Sequence, residues 1–93
     1  MRPPRALRVT SRGRDDLDAL APRSSAAWPH VKRALLQLTR DRVLPGPEDI
    51  MVKMPHQILG RVVPEAGLVI AYVPGIDEVS IVALIERLPV VTT

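Results

Sequence analysis

Residues 67–87, GLVIAYVPGIDEVSIVALIER, decide how the rest of the chain is read. Two apolar runs flank the turn-like PGIDE, and so short a link makes them antiparallel neighbours. Along a strand, alternate side chains point to opposite faces. Val79, Ile81, Ala83 and Ile85 therefore fall on one face and Val82 and Leu84 on the other. In the preceding run, Leu68, Ile70 and Tyr72 oppose Val69, Ala71 and Val73. Both faces are apolar, yet one layer of helices covers only one of them. The second set meets either a partner chain or a sheet that twists and curls over itself.

Upstream, DIMVKM and QILGRVV are two more β-like runs, set off by Met54-Pro55-His56 and by Pro64-Glu65-Ala66-Gly67. The texture before Glu48 is helical. In SSAAWPHVKRALLQLTRDRV, Val31, Leu35 and Leu38 recur at i, i+4 and i+7 with Ala34 beside them, an apolar stripe that packs on a sheet. Pro29 belongs near the first turn of that helix, and LPGPED ends it. An earlier helix starts after an N-cap at Thr10 or Ser11. It carries Asp15 and Asp16 early, where the dipole favours them. Leu17 and Leu20 lie on one face, Gly13 weakens the helix slightly, and Ala21-Pro22 ends it. Leu7 and Val9 form a short first strand. The expected order is β-α-α-β-β-β-β. This is an α+β fold, with two N-terminal helices, Ser11–Leu20 and about Ala26–Arg42, on one face of an antiparallel sheet. Residues 1–93 read as one domain, with 1–5 a loose lead-in and 88–93 an edge strand or tail.

Composition narrows the chemistry. With 93 residues, 46% hydrophobic and 25% charged, the chain suits one modest core. Aromatic residues make up only 2%, so the core is aliphatic and aromatic base-stacking platforms are disfavoured. Without cysteine there is no disulfide, thiol catalysis or Cys-ligated metal. The net charge is +3, and the basic residues crowd the first half, followed only by Lys53, Arg61 and Arg87. Such a balance permits nucleic-acid contact and equally describes a solvated face. No apolar run is long enough to span a membrane. MRPPRALRVT lacks the long apolar stretch of a signal peptide, so the expected location is cytoplasmic. Asp15, Asp16 and Asp18 suit an early helical turn without any metal, and His30 and His56 lie far apart, so neither a metal nor a cofactor is expected.

Three pieces of the chain resemble the RelE/ParE superfamily of bacterial type II toxins. VTSRGRDDLDAL is similar to that family's opening strand and first helix, with Asp16, Leu17 and Leu20 as its ending. The helix through RALLQL runs into a Pro-Gly loop. KMPHQILGRVVPEAGLVIAYV and VSIVALIER look like its basic strand, its Gly–Tyr strand (Gly67 and Tyr72) and its last strand ending in an arginine, Arg87. The resemblance implies a small toxin neutralised by a cognate antitoxin. The RelE branch cleaves mRNA on the ribosome; the ParE branch poisons DNA gyrase and is not an enzyme. RNA cleavage needs a base, an acid and cations that stabilise developing phosphate charge. Lys53, Arg61 and Arg87, the basic residues of the expected strands, would supply the cations, and His56 the base. The chain departs from the family where Val69 replaces a strand arginine. It departs again where Glu86-Arg87 and LPVVTT stand in place of the usual basic pair and terminal Tyr or His. The same fold without nuclease activity, kept as a binding module, is the alternative.

Overall fold

A computed structural model of the chain describes residues 4–23, 26–41, 44–47, 49–53 and 58–86. The elements follow the expected order: β1 (Ala6–Val9), α1 (Ser11–Arg23), α2 (Trp28–Arg40), β2 (Asp49–Lys53), β3 (Ile58–Val63), β4 (Leu68–Pro74) and β5 (Glu78–Glu86). The tail 88–93, the first residues of the lead-in and the expected helix end at Arg42 lie outside the described residues. Arg5, expected in a loose lead-in, is tied down. Its N–H donates to Thr39 O at 2.8 Å and its Nε to Gly75 O at 3.0 Å.

The sheet runs β1-β5-β4-β3-β2. It is mixed, not antiparallel as expected, because β1 pairs in parallel with β5. A parallel neighbour requires a crossover, and here the long excursion through α1, α2 and three strands supplies one. Leu17, Leu20, Val31, Leu35 and Leu38 from the helices pack with Leu59, Ile70, Tyr72, Val79 and Ile81 in one core, so both helices lie on the same face. Between β3 and β4, a short 3-10 turn at Pro64–Ala66 leads into Gly67, whose φ of 66° lies in the left-handed region that favours glycine.

A second correction concerns β5. Ala71 pairs with Ala83 but Tyr72 pairs with Ile81, leaving Val82 as an extra residue. This bulge flips the alternation. Leu84, not Ala83 or Ile85, joins Val79 and Ile81 against the core. The bulge is also where α1 docks. The Thr10 hydroxyl lies 3.1 Å from both Ile81 O and Val82 O and accepts the Gly13 N–H at 3.1 Å, the bond of an N-cap. A Cβ at Gly13 would lie 2.6 Å from Ile81 O. Gly13 therefore lets the first turn rest on β5, rather than merely weakening the helix. The Asp16 carboxylate accepts the Leu84 N–H at 3.0 Å. Asp16 closes a strand edge; no acidic residue falls in the first turn of α1.

Candidate functional site

Of the four residues that the sequence nominates, Arg61 alone has a described side chain. His56 and Arg87 lie outside the described residues. Lys53 is placed in β2 opposite Ile58, with its side chain undescribed. Arg61 is set in the middle of β3 by an apolar run that buries its neighbours, and its register partners are Asp49 on β2 and Ile70 on β4. This row faces the helices.

Arg61 is only 4% exposed. Its Nε donates to Asp49 Oδ1, and its Nη2 to Asp49 Oδ2 at 3.2 Å and Asp41 Oδ2 at 2.7 Å. Tyr72 OH donates to Asp49 Oδ2 at 2.6 Å, and the Gly46 N–H donates to the same oxygen at 2.7 Å. The Asp49 side chain is fully buried, while that of Asp41 is 36% exposed. One guanidinium thus joins the C-terminal cap of α2 to β2, and Tyr72 ties β4 into the same cluster. Burial works to raise the Asp49 pKa. The hydrogen bonds from Arg61, Tyr72 and Gly46 and the charge of Arg61 outweigh it, so the carboxyl sits below its ordinary range. Burial pushes the Tyr72 hydroxyl up, and its hydrogen bond to the Asp49 carboxylate adds to the rise. Burial alone would lower Arg61, but its hydrogen bonds to Asp49 and Asp41 keep it firmly protonated.

This arrangement differs from a cation waiting for phosphate. A phosphate-binding arginine offers its fork to the ligand; here two fork positions already hold carboxylates, that of Asp49 fully buried. Asp41 and Asp49 were missed by reading the chain for basic residues. A signal for Asp49 existed: the short link between DIMVKM and QILGRVV makes them a hairpin, whose far ends lie opposite one another.

On the other face, one cross-strand row reads Ile50, Gly60, Ala71 and Ala83, and a second reads Val62, Val69 and Ile85. Val69, the position of the expected strand arginine, is buried there. Among the described residues, no three His, Asp or Glu side chains gather as a metal site.

A cleft of about 530 Å3 lies between α2 and the start of β2. His30, Arg33 and Gln37 form its helical wall; Pro47, Asp49, Ile50 and the Val62–Glu65 segment form the rest. Trp28, at the head of α2, is half-buried against the core.

Two helices on one face of a mixed five-stranded sheet define the class of fold expected from the toxin resemblance. The chain superposes on the YoeB dimer structure from Staphylococcus aureus with a TM-score of 0.73, covering 89% of this chain and 97% of that one at 10% identity. YoeB is a type II toxin of the RelE/ParE superfamily. At that identity the likeness establishes a shared fold. No protein-family model matches the chain, and no curated protein matches it.

Proposed function

We propose that the chain is the toxin component of a type II toxin–antitoxin pair, held by a cognate antitoxin in the cytoplasm and acting on translation. The supporting observation is the fold likeness to YoeB, which extends over nearly the whole of both chains. In this reading the ribosome and its mRNA are the target, and Lys53, His56 and Arg87 remain the residues for cleavage. Arg61 serves them from behind, by fixing the strand that follows the Lys53–His56 segment. No metal is called upon, because cations and a general base suffice for attack by a 2′-hydroxyl.

A specific observation favours a second reading, in which the fold persists as a binding module or a gyrase inhibitor without nuclease chemistry. Arg61 is neutralised by two aspartates, and the strand position Val69 is aliphatic and buried. One experiment separates the two. The chain is expressed alone and with the product of the neighbouring reading frame, while message integrity is followed in a translating extract. Growth arrest relieved by the neighbour, with cleaved message that Arg87→Ala or His56→Ala leaves intact, is the expected outcome for the nuclease. Arrest with intact message and inhibited DNA supercoiling selects the gyrase target. The absence of both arrest and rescue overturns the toxin reading altogether.

A further inference from the structure

We infer that the cleft beside α2 is a binding site for a small organic monoanion, a carboxylate carried on an apolar body. At about 530 Å3 it has the size of pockets that take drug-sized molecules. Such pockets are lined mainly by carbon, with a few convergent polar groups that fix the ligand's orientation. The lining here has that composition. Ala34, Pro47, Ile50 and Pro64 supply apolar surface, and His30, Arg33 and Gln37 bring N–H donors from one wall. The three donors fall at i, i+3 and i+7 of α2, so one helical face presents them together.

Arg33 is the counterpart of Arg61. Both are arginines at the edge of the same region, but the Arg61 guanidinium is buried and matched by Asp49 and Asp41. Arg33 is exposed, and among the described residues it takes part in no ion pair. Helix α2 itself contains no acidic residue that could fill its fork. A fork of this geometry matches a carboxylate with two parallel hydrogen bonds.

The opposite wall limits the charge of the ligand. Glu65 stands there, so a second negative group would be opposed. Asp49 also lines the cleft, but its carboxylate is committed to Arg61, Tyr72 and Gly46. The favoured ligand therefore holds one anionic group against α2 and lays its apolar body over Ile50 and Pro64. A bare phosphate would leave that apolar surface uncovered. The site uses none of Lys53, His56 and Arg87, and it goes beyond the toxin reading, since it needs neither antitoxin nor nucleic acid.

The test follows the amide resonances of the isotope-labelled full chain. Phenylbutyrate is the probe, phenylbutanol its neutral counterpart, phenylsuccinate a dianion on a similar body, and inorganic phosphate an anion without one. Phenylbutyrate should give saturable shifts at Arg33, Gln37 and Glu65, and phenylbutanol and phosphate should bind at least about tenfold more weakly, the loss of one charge-assisted hydrogen bond or of the apolar contact. Arg33→Gln, at an exposed helix position, should weaken phenylbutyrate about tenfold and leave phenylbutanol unchanged. Glu65→Gln should strengthen phenylsuccinate, which the parent chain binds more weakly than phenylbutyrate. The absence of saturable shifts would overturn the inference. So would phenylbutanol or phosphate binding as tightly as phenylbutyrate, or phenylbutyrate binding that persists unchanged in Arg33→Gln. Phenylsuccinate bound equally by the parent and Glu65→Gln chains would overturn the limit to a single charge. All of these readouts are separate from growth arrest, so the anion site and the toxin reading can fail independently.

Discussion

The two faces of the sheet solve burial in different ways, although they alternate along the same strands. On the inner face, Arg61 sits in an aliphatic core under two helices, and its charge is matched by Asp49 and Asp41. One residue earlier, Gly60 points to the outer face, where no described helix lies. There Val69, Ala71 and Ala83 are buried all the same, while Ile50, Val73 and Ile85 toward the margins stay exposed. Part of the reason is local. A Cβ on Gly60 would lie 2.5 Å from both Val52 Cγ2 and Val69 Cγ1, so the two valines close over the glycine. Apolar residues on both faces of a strand therefore do not require two covering layers. The inner face depends on charge matching, and the outer face on a missing side chain.

The sharpest way to break this comparison is Arg61→Ala. Removing one partner of a buried pair strands a charge, and the expected loss is about 3–5 kcal/mol, read from urea unfolding. Asp49→Asn in the same chain should recover part of the loss, because no charge is then left in the core. Loss of cellular activity in Arg61→Ala would therefore report unfolding and not chemistry, so Arg87 and His56 are the better probes of cleavage. An unfolding midpoint unchanged from the parent would show that the cluster contributes nothing.

The outer face should respond less. Gly60→Ala forces Val52 or Val69 out of its seat, and overpacking of this kind costs about 1–3 kcal/mol. Adding Val69→Ala to Gly60→Ala should cost less than the sum of the two changes, since the smaller neighbour makes room. Strict additivity would mean that the valines do not meet over Gly60.

The same contrast explains what could be read before the fold was known. Helix α2 was legible because Val31, Leu35 and Leu38 repeat at helical spacing, and β2 to β5 because proline and glycine bound their apolar runs. The parallel pairing of β1 was not legible, since it depends on Thr10 and Asp16 meeting β5 some seventy residues away. Nor was the bulge at Val82, because valine suits either face of a strand. Gly13 counted as a weak point of its helix until the close approach to Ile81 was visible. At the candidate site, Arg61 stood out as a charge in an apolar run, but its meaning lay in Asp41 and Asp49. Asp41 carries no local pattern that distinguishes it from a loop residue, and Asp49 only its place at the start of a strand that pairs with β3.

The finest test of the inner face is silent in neutral buffer and appears only at the ends of the pH scale. The Asp49 carboxyl is held below its ordinary range, burial notwithstanding, by the hydrogen bonds and charge of its partners. Its stabilising effect is therefore fully present above the unfolded value of about 4, and is lost as pH falls through the folded pKa. Tyr72 is displaced the other way by burial and by the carboxylate that accepts its hydrogen bond. Its contribution is present below the unfolded value of about 10 and is lost as pH rises through the folded pKa. One cluster thus limits stability from both sides, with Arg61 charged throughout. The chain has a single tyrosine, so its ionisation is directly visible in the ultraviolet spectrum. In the folded chain, tyrosinate should form only above the range of a free tyrosine, and its appearance should coincide with unfolding. Tyr72→Phe should flatten the alkaline limb of the stability curve and shrink the acid limb only in part, since Arg61 and the Gly46 N–H still hold the Asp49 carboxyl low. A folded chain whose tyrosine ionises at its ordinary value would place the hydroxyl in water, and the bond to Asp49 that joins β4 to the cluster would have to be abandoned.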